Sequence, residues 1–203
     1  MAHGFAEIAF TATVKRVQED MGSRTAYART EDGAEPVNRH LGAAEAGFIV
    51  ARDSVYMATV GETGWPYVQH RGGPAGFVRV LDATTLGFAD FRGNRQYVSV
   101  GNLKTDDRVS LFFMDYAGRR RLKLFGRATI VGPEETAILA RLEVPDYRAR
   151  VERGILINVE GFDWNCPQHI TERFTRADVE AMTAPLIDRL AEMEAELDRL
   201  RRR

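Results

Sequence analysis

Between residues 55 and 131 the chain crowds together the apolar runs "VYMATV", "YVQHR", "GFVRVL", "LGFADF", "RVSLFFMD" and "RRLKLFGRATIV". These runs are β-branched and aromatic, and the turn-formers "GETGWP", "DATT" and "YAG" lie between them. Strands this short and this close leave no room for crossover helices, so they join as an antiparallel meander, and five or six such strands close into a small barrel or a sandwich. The stretch "NRQYVSVGNL" interrupts the run. Asn94 is a good N-cap, and Tyr97, Val98 and Leu103 can pack inward, so the sequence predicts a short helix across one barrel end.

Helices flank this core. Phe10, Val14, Val17 and Met21 recur at spacings of four and three, which predicts an amphipathic helix over 11–29. A second helix is expected over 41–52, where "AAEAGFIVAR" is rich in helix formers. In "PEETAILARL", Pro133 stands at the expected first turn with two acids after it. "GILINVE" reads as a further strand. In the C-terminal stretch Leu186, Leu190, Met193, Leu197 and Leu200 recur at four, three, four, three, a heptad seam in a helix expected to begin at Pro185. The expected organisation is a helical extension over 1–52, a mainly β domain over 53–174 and a helical tail over 175–203.

Composition narrows the function classes. Hydrophobic residues make up 44% of 203 residues, enough for a sizeable core. The 28 Lys+Arg balance 29 Asp+Glu, so no long-range field calls for nucleic acid or an acidic membrane as partner. A single cysteine, Cys166, cannot form an intrachain disulfide and suits a reducing compartment. "MAHGFAEIAF" lacks a basic region followed by an apolar run, and no stretch reaches the roughly 20 apolar residues of a membrane span. The expectation is a cytoplasmic protein.

Two basic clusters carry the candidate chemistry. In "HRGGPAGF", His70 and Arg71 precede Gly72 and Gly73, where bare backbone lets a planar or phosphorylated ligand approach N–H groups while Arg71 grips a phosphate with two prongs. In "RGNRQY", Arg92 and Arg95 flank the start of the expected helix, a place suited to an anion. Each cluster ends a predicted strand, so adjacent strands can bring both to one rim. Further on, "GRRRLKLFGR" alternates Arg119, Arg121, Lys123 and Phe125 on one face. "FDWNCPQHI" gathers Trp164, Asn165, Cys166, Gln168 and His169 into a corner that can cover a ring-shaped ligand; the Cys166–His169 spacing alone is half a zinc site, and no second half accompanies it, so no metal is expected. Among GxGxxG, Walker A, GxSxG and HExxH, none occurs.

Taken together, the stretch from Asp53 to Val131 resembles the FMN-binding split barrel of the pyridoxamine 5'-phosphate oxidase-like superfamily. The resemblance lies in the order of parts: a Gly-x-Pro hairpin, the arginine strand, "RGNRQ", a crossing helix, "DDRVSLFF" and a basic strand ending "FGRA". "WNCPQHI" resembles a feature of a bacterial flavin-nucleotide-binding subgroup. The resemblance implies a mainly β fold, a split β-barrel with flanking helices and a C-terminal helix, assembled as a homodimer with FMN in clefts between subunits. It places Arg71 on the FMN phosphate and matches "GNRQ" to the family's Gly-Ser-Arg-Lys turn. Asn94 then stands for serine, Arg95 is kept, and Gln96 replaces the lysine and removes one phosphate charge. Arg121 stands where the oxidases carry a glutamine beside the flavin, and Trp164 with Gln168 would close the cleft from the other subunit. Backbone at Gly72, Gly73 and Phe88, Ala89 and Asp90 would form the ring slot, with Arg121 or Lys123 near the flavin's N1–O2 edge. The oxidases end in an arginine- and histidine-bearing segment that holds vitamin B6; this chain continues instead into a long helix, which points away from vitamin B6 oxidation. The expected activity is FMN-dependent oxidoreduction of a small molecule or with a nicotinamide donor. The alternatives are a flavin carrier or sensor, or a split barrel that binds F420 or heme, with His70 or His169 as the heme ligand.

Overall fold

A computed structural model describes residues 3–28 and 37–202. Contacts divide the chain into two compact units, Met1–Asp115 with Arg121–Cys166, and Tyr116–Arg120 with Pro167–Arg203.

The first unit opens with helices α1 (Gly4–Ala9), α2 (Ala12–Asp20), α3 (Arg24–Ala28) and α4 (Ala43–Val50). Strands β1 (Ser54–Val60), β2 (Pro66–Gly72), β3 (Val78–Val80) and β4 (Thr85–Phe91) follow, then helix α5 (Val98–Asn102) and strand β5 (Arg108–Asp115). Strand β6 (Arg120–Val131), helix α6 (Thr136–Leu142) and strand β7 (Val151–Trp164) complete the sheet. The strands form one seven-stranded antiparallel sheet in the order β2-β1-β5-β6-β7-β4-β3, which is the expected split barrel.

The order of the sheet shows how far it curls. Five strand steps separate β2 from β4, about 24 Å if the sheet were flat. Yet Arg71 of β2 touches Asp90 of β4 at 2.5 Å. The sheet therefore wraps nearly onto itself and leaves a seam between these strands. Alternation sets what fills it: Val109, Leu111 and Phe113 of β5 point inward, as do Leu122 and Leu124 of β6. With Met57, Phe77, Phe88, Ile155 and Ile157 they form a core in which every named side chain is buried. β4 is buried on both faces, because α6 covers its outside through Leu142. A Cβ on Gly87 would lie 2.8 Å from the Ile155 carbonyl oxygen, so only glycine lets β4 and β7 close here.

Several local expectations give way to specific competitors. The helix expected over 11–29 breaks, because Gly22 adopts φ 71 and ends α2. Its apolar residues Val14, Val17 and Met21 are exposed. Residue 29 lies outside the described residues. Pro133 precedes α6 instead of opening it, and Glu135 is the N-cap. The strand read from "GILINVE" is the middle of the 14-residue β7.

In the second unit, helix α7 (Arg176–Arg201) starts well before Pro185. Thr175 and Asp178 form a reciprocal capping box: the Thr175 hydroxyl accepts from the Asp178 N–H, and Asp178 accepts from the Thr175 N–H at 2.8 Å. This nucleus sets the start, and Pro185 is carried inside the helix at the cost of one backbone hydrogen bond. Within the same unit Arg119 pairs with Glu172 at 3.5 Å, and the Arg173 guanidinium lies 4.8 Å from the Tyr116 ring centre.

Candidate functional site at the barrel seam

The two basic clusters meet. Gln69 and Arg71 of β2, Asp90 of β4, the turn residues Asn94 and Arg95, and Glu152 of β7 line one pocket of about 50 Å³ at the seam. It suits a small anion and is far too small for a tricyclic ring. Period-two alternation turns Gln69 and Arg71 toward it, while His70 is exposed on the opposite face beside Tyr56, ring centres 5.5 Å apart.

Asp90 organises the pocket. It accepts from Arg71 at 2.5 Å and faces Arg153, its direct cross-strand neighbour on β7, at 3.4 Å. Burial pushes the Asp90 carboxyl up, against the pull of Arg71 and Arg153. Next to it, Glu152 accepts from Arg153 at 2.8 Å and from the Tyr97 hydroxyl at 3.3 Å, and it faces Arg92 at 3.5 Å. Burial opposes ionisation of Glu152, but these donors outweigh it and hold its carboxyl below the usual range. The Tyr97 hydroxyl also accepts from Arg95 at 3.3 Å, which raises the guanidinium further. Arg71, Arg92, Arg95 and Arg153 against Asp90 and Glu152 leave four minus two, a net charge of +2 around the pocket. The buried Nε of Arg71 has no hydrogen-bond partner among the described residues.

The turn is built differently from the expected helix cap. Asn94 does not cap α5; its side-chain oxygen accepts from the Gln96 N–H at 3.1 Å, an Asx turn. Tyr97 is the N-cap, in a left-handed conformation with φ 54, and Arg95 is left-handed as well at φ 63. Tyr97 and Val98 are consequently exposed, while Val100 and Leu103 are the residues that pack inward. Five residues of helix carry little dipole, so the charge here comes from the guanidinium groups. Ser99 of α5 donates to Gln69 at 2.9 Å and ties the helix to β2.

The remaining candidates lie elsewhere. The space beside Gly73 is taken by Phe77, whose Cβ would stand 2.8 Å from an added Cβ, so the glycine serves packing. Gly72 lies against His70. Phe88 and Ala89 are buried, and only Asp90 of that trio sends a side chain to the pocket. Gln96 is exposed. Lys123 and Trp164 line a separate cavity of about 400 Å³ between the N-terminal helices and the ends of β6 and β7. There Lys123 pairs with Asp163 at 2.8 Å, and the Trp164 indole donates to Glu45 at 2.8 Å. Arg121 sits beside this corner, its carbonyl accepting from Asn165. Gln168 is exposed in the second unit. Sequence reasoning missed Gln69, Glu152 and Arg153. Glu152 and Arg153 had no signal except an acid–base dipeptide next to a predicted strand.

The family model described as pyridoxamine 5'-phosphate oxidase matches residues 41–161. No curated protein matches the chain. Among solved structures, a putative pyridoxamine 5'-phosphate oxidase from Lactobacillus delbrueckii is 20% identical, covering 63% of this chain and 96% of that one, with a TM-score of 0.47. HupZ from Group A Streptococcus is 17% identical over 66% of this chain and all (100%) of its own, with a TM-score of 0.47. An FMN-binding protein from Syntrophomonas wolfei is 11% identical over 76% and 95% of the two chains, with a TM-score of 0.46. The family match begins two residues before α4, takes in the seam and all its charged residues, and ends within β7; spanning more than half of the sequence, it makes this chain a member of the pyridoxamine 5'-phosphate oxidase family.

Proposed function

We propose that the chain is an FMN-binding oxidoreductase that works as a homodimer, with the FMN phosphate at the barrel seam. The observation that carries this reading is the convergence of Arg71 with Asn94 and Arg95 in a pocket of phosphate size. Its surrounding charge of +2 matches a phosphomonoester, which carries about −1.5 to −2 near neutral pH. Arg71 would exchange part of its contact with Asp90 for the phosphate, its unpartnered Nε adding a donor. Asn94 and the left-handed turn at Arg95 would hold the anion from the other side.

The pocket of about 50 Å³ would hold the phosphate alone, so the isoalloxazine ring would have to lie outside it. Bound flavin supplies hydride and electron transfer, so no acid–base side chain of this chain is obligatory. The protein's part is to anchor the phosphate, orient the ring and limit water. Arg121 lies beside Asn165 and does not line the pocket that holds Arg71, so in this reading a second copy would bring it to the ring. A cation there favours the reduced, anionic flavin. The substrate is a small molecule or a nicotinamide donor, and the site of action is the cytoplasm.

A shared site makes a complementation test decisive. Arg71→Ala and Arg121→Ala each lose flavin when pure. Unfolded together in equal amounts and refolded, they yield mixed dimers with one intact cleft, and about a quarter of all sites regain FMN if pairing is random. Absorbance after gel filtration reads the occupancy. No recovery above the pure variants contradicts a shared cleft, and a Soret band in place of flavin bands contradicts FMN.

A further inference from the structure

We propose that α7 pairs in parallel and in register with α7 of a second copy of this chain, as a short two-stranded coiled coil. The helix carries an apolar stripe that nothing among the described residues of its own unit covers. Val179, Met182, Leu186, Ile187, Leu190, Met193, Leu197 and Leu200 are each between 48% and 65% exposed. A 26-residue helix is long enough to stand as an element, but this much apolar surface in water calls for a partner.

The heptad assigns that partner. With Leu190 and Leu197 at the a positions, the d positions are Val179, Leu186, Met193 and Leu200. Thr183 and Arg176, the latter in the first turn of the helix, take the other two a positions, and the Thr183 hydroxyl is satisfied within the helix, donating to the Val179 carbonyl at 2.8 Å. Pro185 falls at c and Ala195 at f, both away from the seam. Met182 at g of one heptad and Ile187 at e of the next widen the apolar stripe beside Leu186.

Charge then selects the orientation. In a parallel, in-register pair each g position faces the e position five residues on in the other helix. Arg189 at g faces Glu194 at e, and Glu196 at g faces Arg201 at e. Both pairs are opposite in sign, and the two-fold symmetry of the pair repeats each of them. Met182 faces Ile187, so the third g–e pair is apolar on both sides. In the single helix Arg189 pairs instead with Glu192 at 2.9 Å and Glu196 with Arg199 at 3.3 Å. These exposed i,i+3 pairs contribute little and can exchange partners at small cost. The occupant of the stripe is thus the same stripe from a second copy. This inference does not depend on flavin or on the seam.

The test uses the full chain with Cys166→Ser, which removes its one cysteine. Leu186→Cys and Leu200→Cys are introduced separately and oxidised gently. A disulfide needs Cβ atoms about 3.5–4.5 Å apart. The two positions lie about 21 Å apart along the helix axis. A parallel in-register pair therefore cross-links at both, whereas an antiparallel pair can cross-link at one and never at both. The expected result is a covalent dimer at both positions and none for Ala195→Cys on the outer face. Cross-linking at only one position or at neither, in chains whose circular dichroism shows the helix intact, overturns the proposal, as does equal cross-linking at Ala195→Cys. A second arm reads the charges: Arg189→Glu slows cross-linking at Leu200→Cys several-fold, and adding Glu194→Arg restores it. An unchanged rate in Arg189→Glu overturns the assigned register.

Discussion

Arg71→Ala is expected to raise the dissociation constant for FMN about 100-fold, or about 2.7 kcal/mol. The magnitude is that of losing one charge-assisted, two-pronged contact to a phosphate. Arg71 is also the cation that spans the seam to Asp90, so its loss leaves that buried carboxylate with Arg153 as its one ion-pair partner among the described residues. Arg71→Lys separates the two roles. A lysine keeps a charge for Asp90 or for the phosphate, but lacks the planar fork that serves both. Its affinity for FMN should therefore stay well below wild type while its melting temperature stays close to it. Isothermal titration of the apoprotein reads the first quantity and a thermal melt the second. Wild-type FMN affinity in Arg71→Ala would remove the phosphate from this pocket.

Gly161→Ala should lower stability by about 3 kcal/mol, at the upper end for overpacking, and the melting temperature by about 6–12 °C. A Cβ at residue 161 would stand 2.4 Å from the Gly4 carbonyl carbon and 2.5 Å from the Phe5 nitrogen, and neither backbone atom can swing aside. The start of α1 must then leave β7. With it goes the stack of Phe5 on Phe125, ring centres 4.8 Å apart, and the Lys123 ammonium 4.5 Å from the Phe5 ring centre. Circular dichroism melts measure the loss, and early proteolysis near the N-terminus locates it. Gly47→Ala is the control: among the described residues nothing outside its own helix turn lies within 4 Å of its added Cβ, so this helical position should gain about 0.5–1 kcal/mol. An unchanged melt for Gly161→Ala would mean that α1 does not dock on β7 as described.

The strands were legible because period-two alternation and turn residues act locally, and "RVSLFFMD" buries Val109, Leu111 and Phe113 as its pattern demands. The meeting of "HRGG" with "RGNRQ" was legible as a possibility, since both clusters end predicted strands. The seam network was not. Asp90 opposite Arg153 is a matter of register between strands about 60 residues apart, and Arg71 reaches Asp90 only because the sheet curls. Asn94 had two uses open to it, cap or Asx turn, and the left-handed Tyr97 decided between them. Gly73 looked like bare backbone for a ligand, but Phe77, four residues on, uses that space. Pro185 looked like a helix start until the capping box at Thr175 supplied an earlier one.

The central claim is that the seam holds a phosphate, and the most direct test compares two flavins that differ in little else. Titrating the apoprotein with FMN and with riboflavin isolates the phosphate group. The seam as described predicts that FMN binds at least about 100-fold more tightly, with the difference shrinking as salt rises. Equal affinity for the two flavins, at low salt and in folded protein, would contradict it.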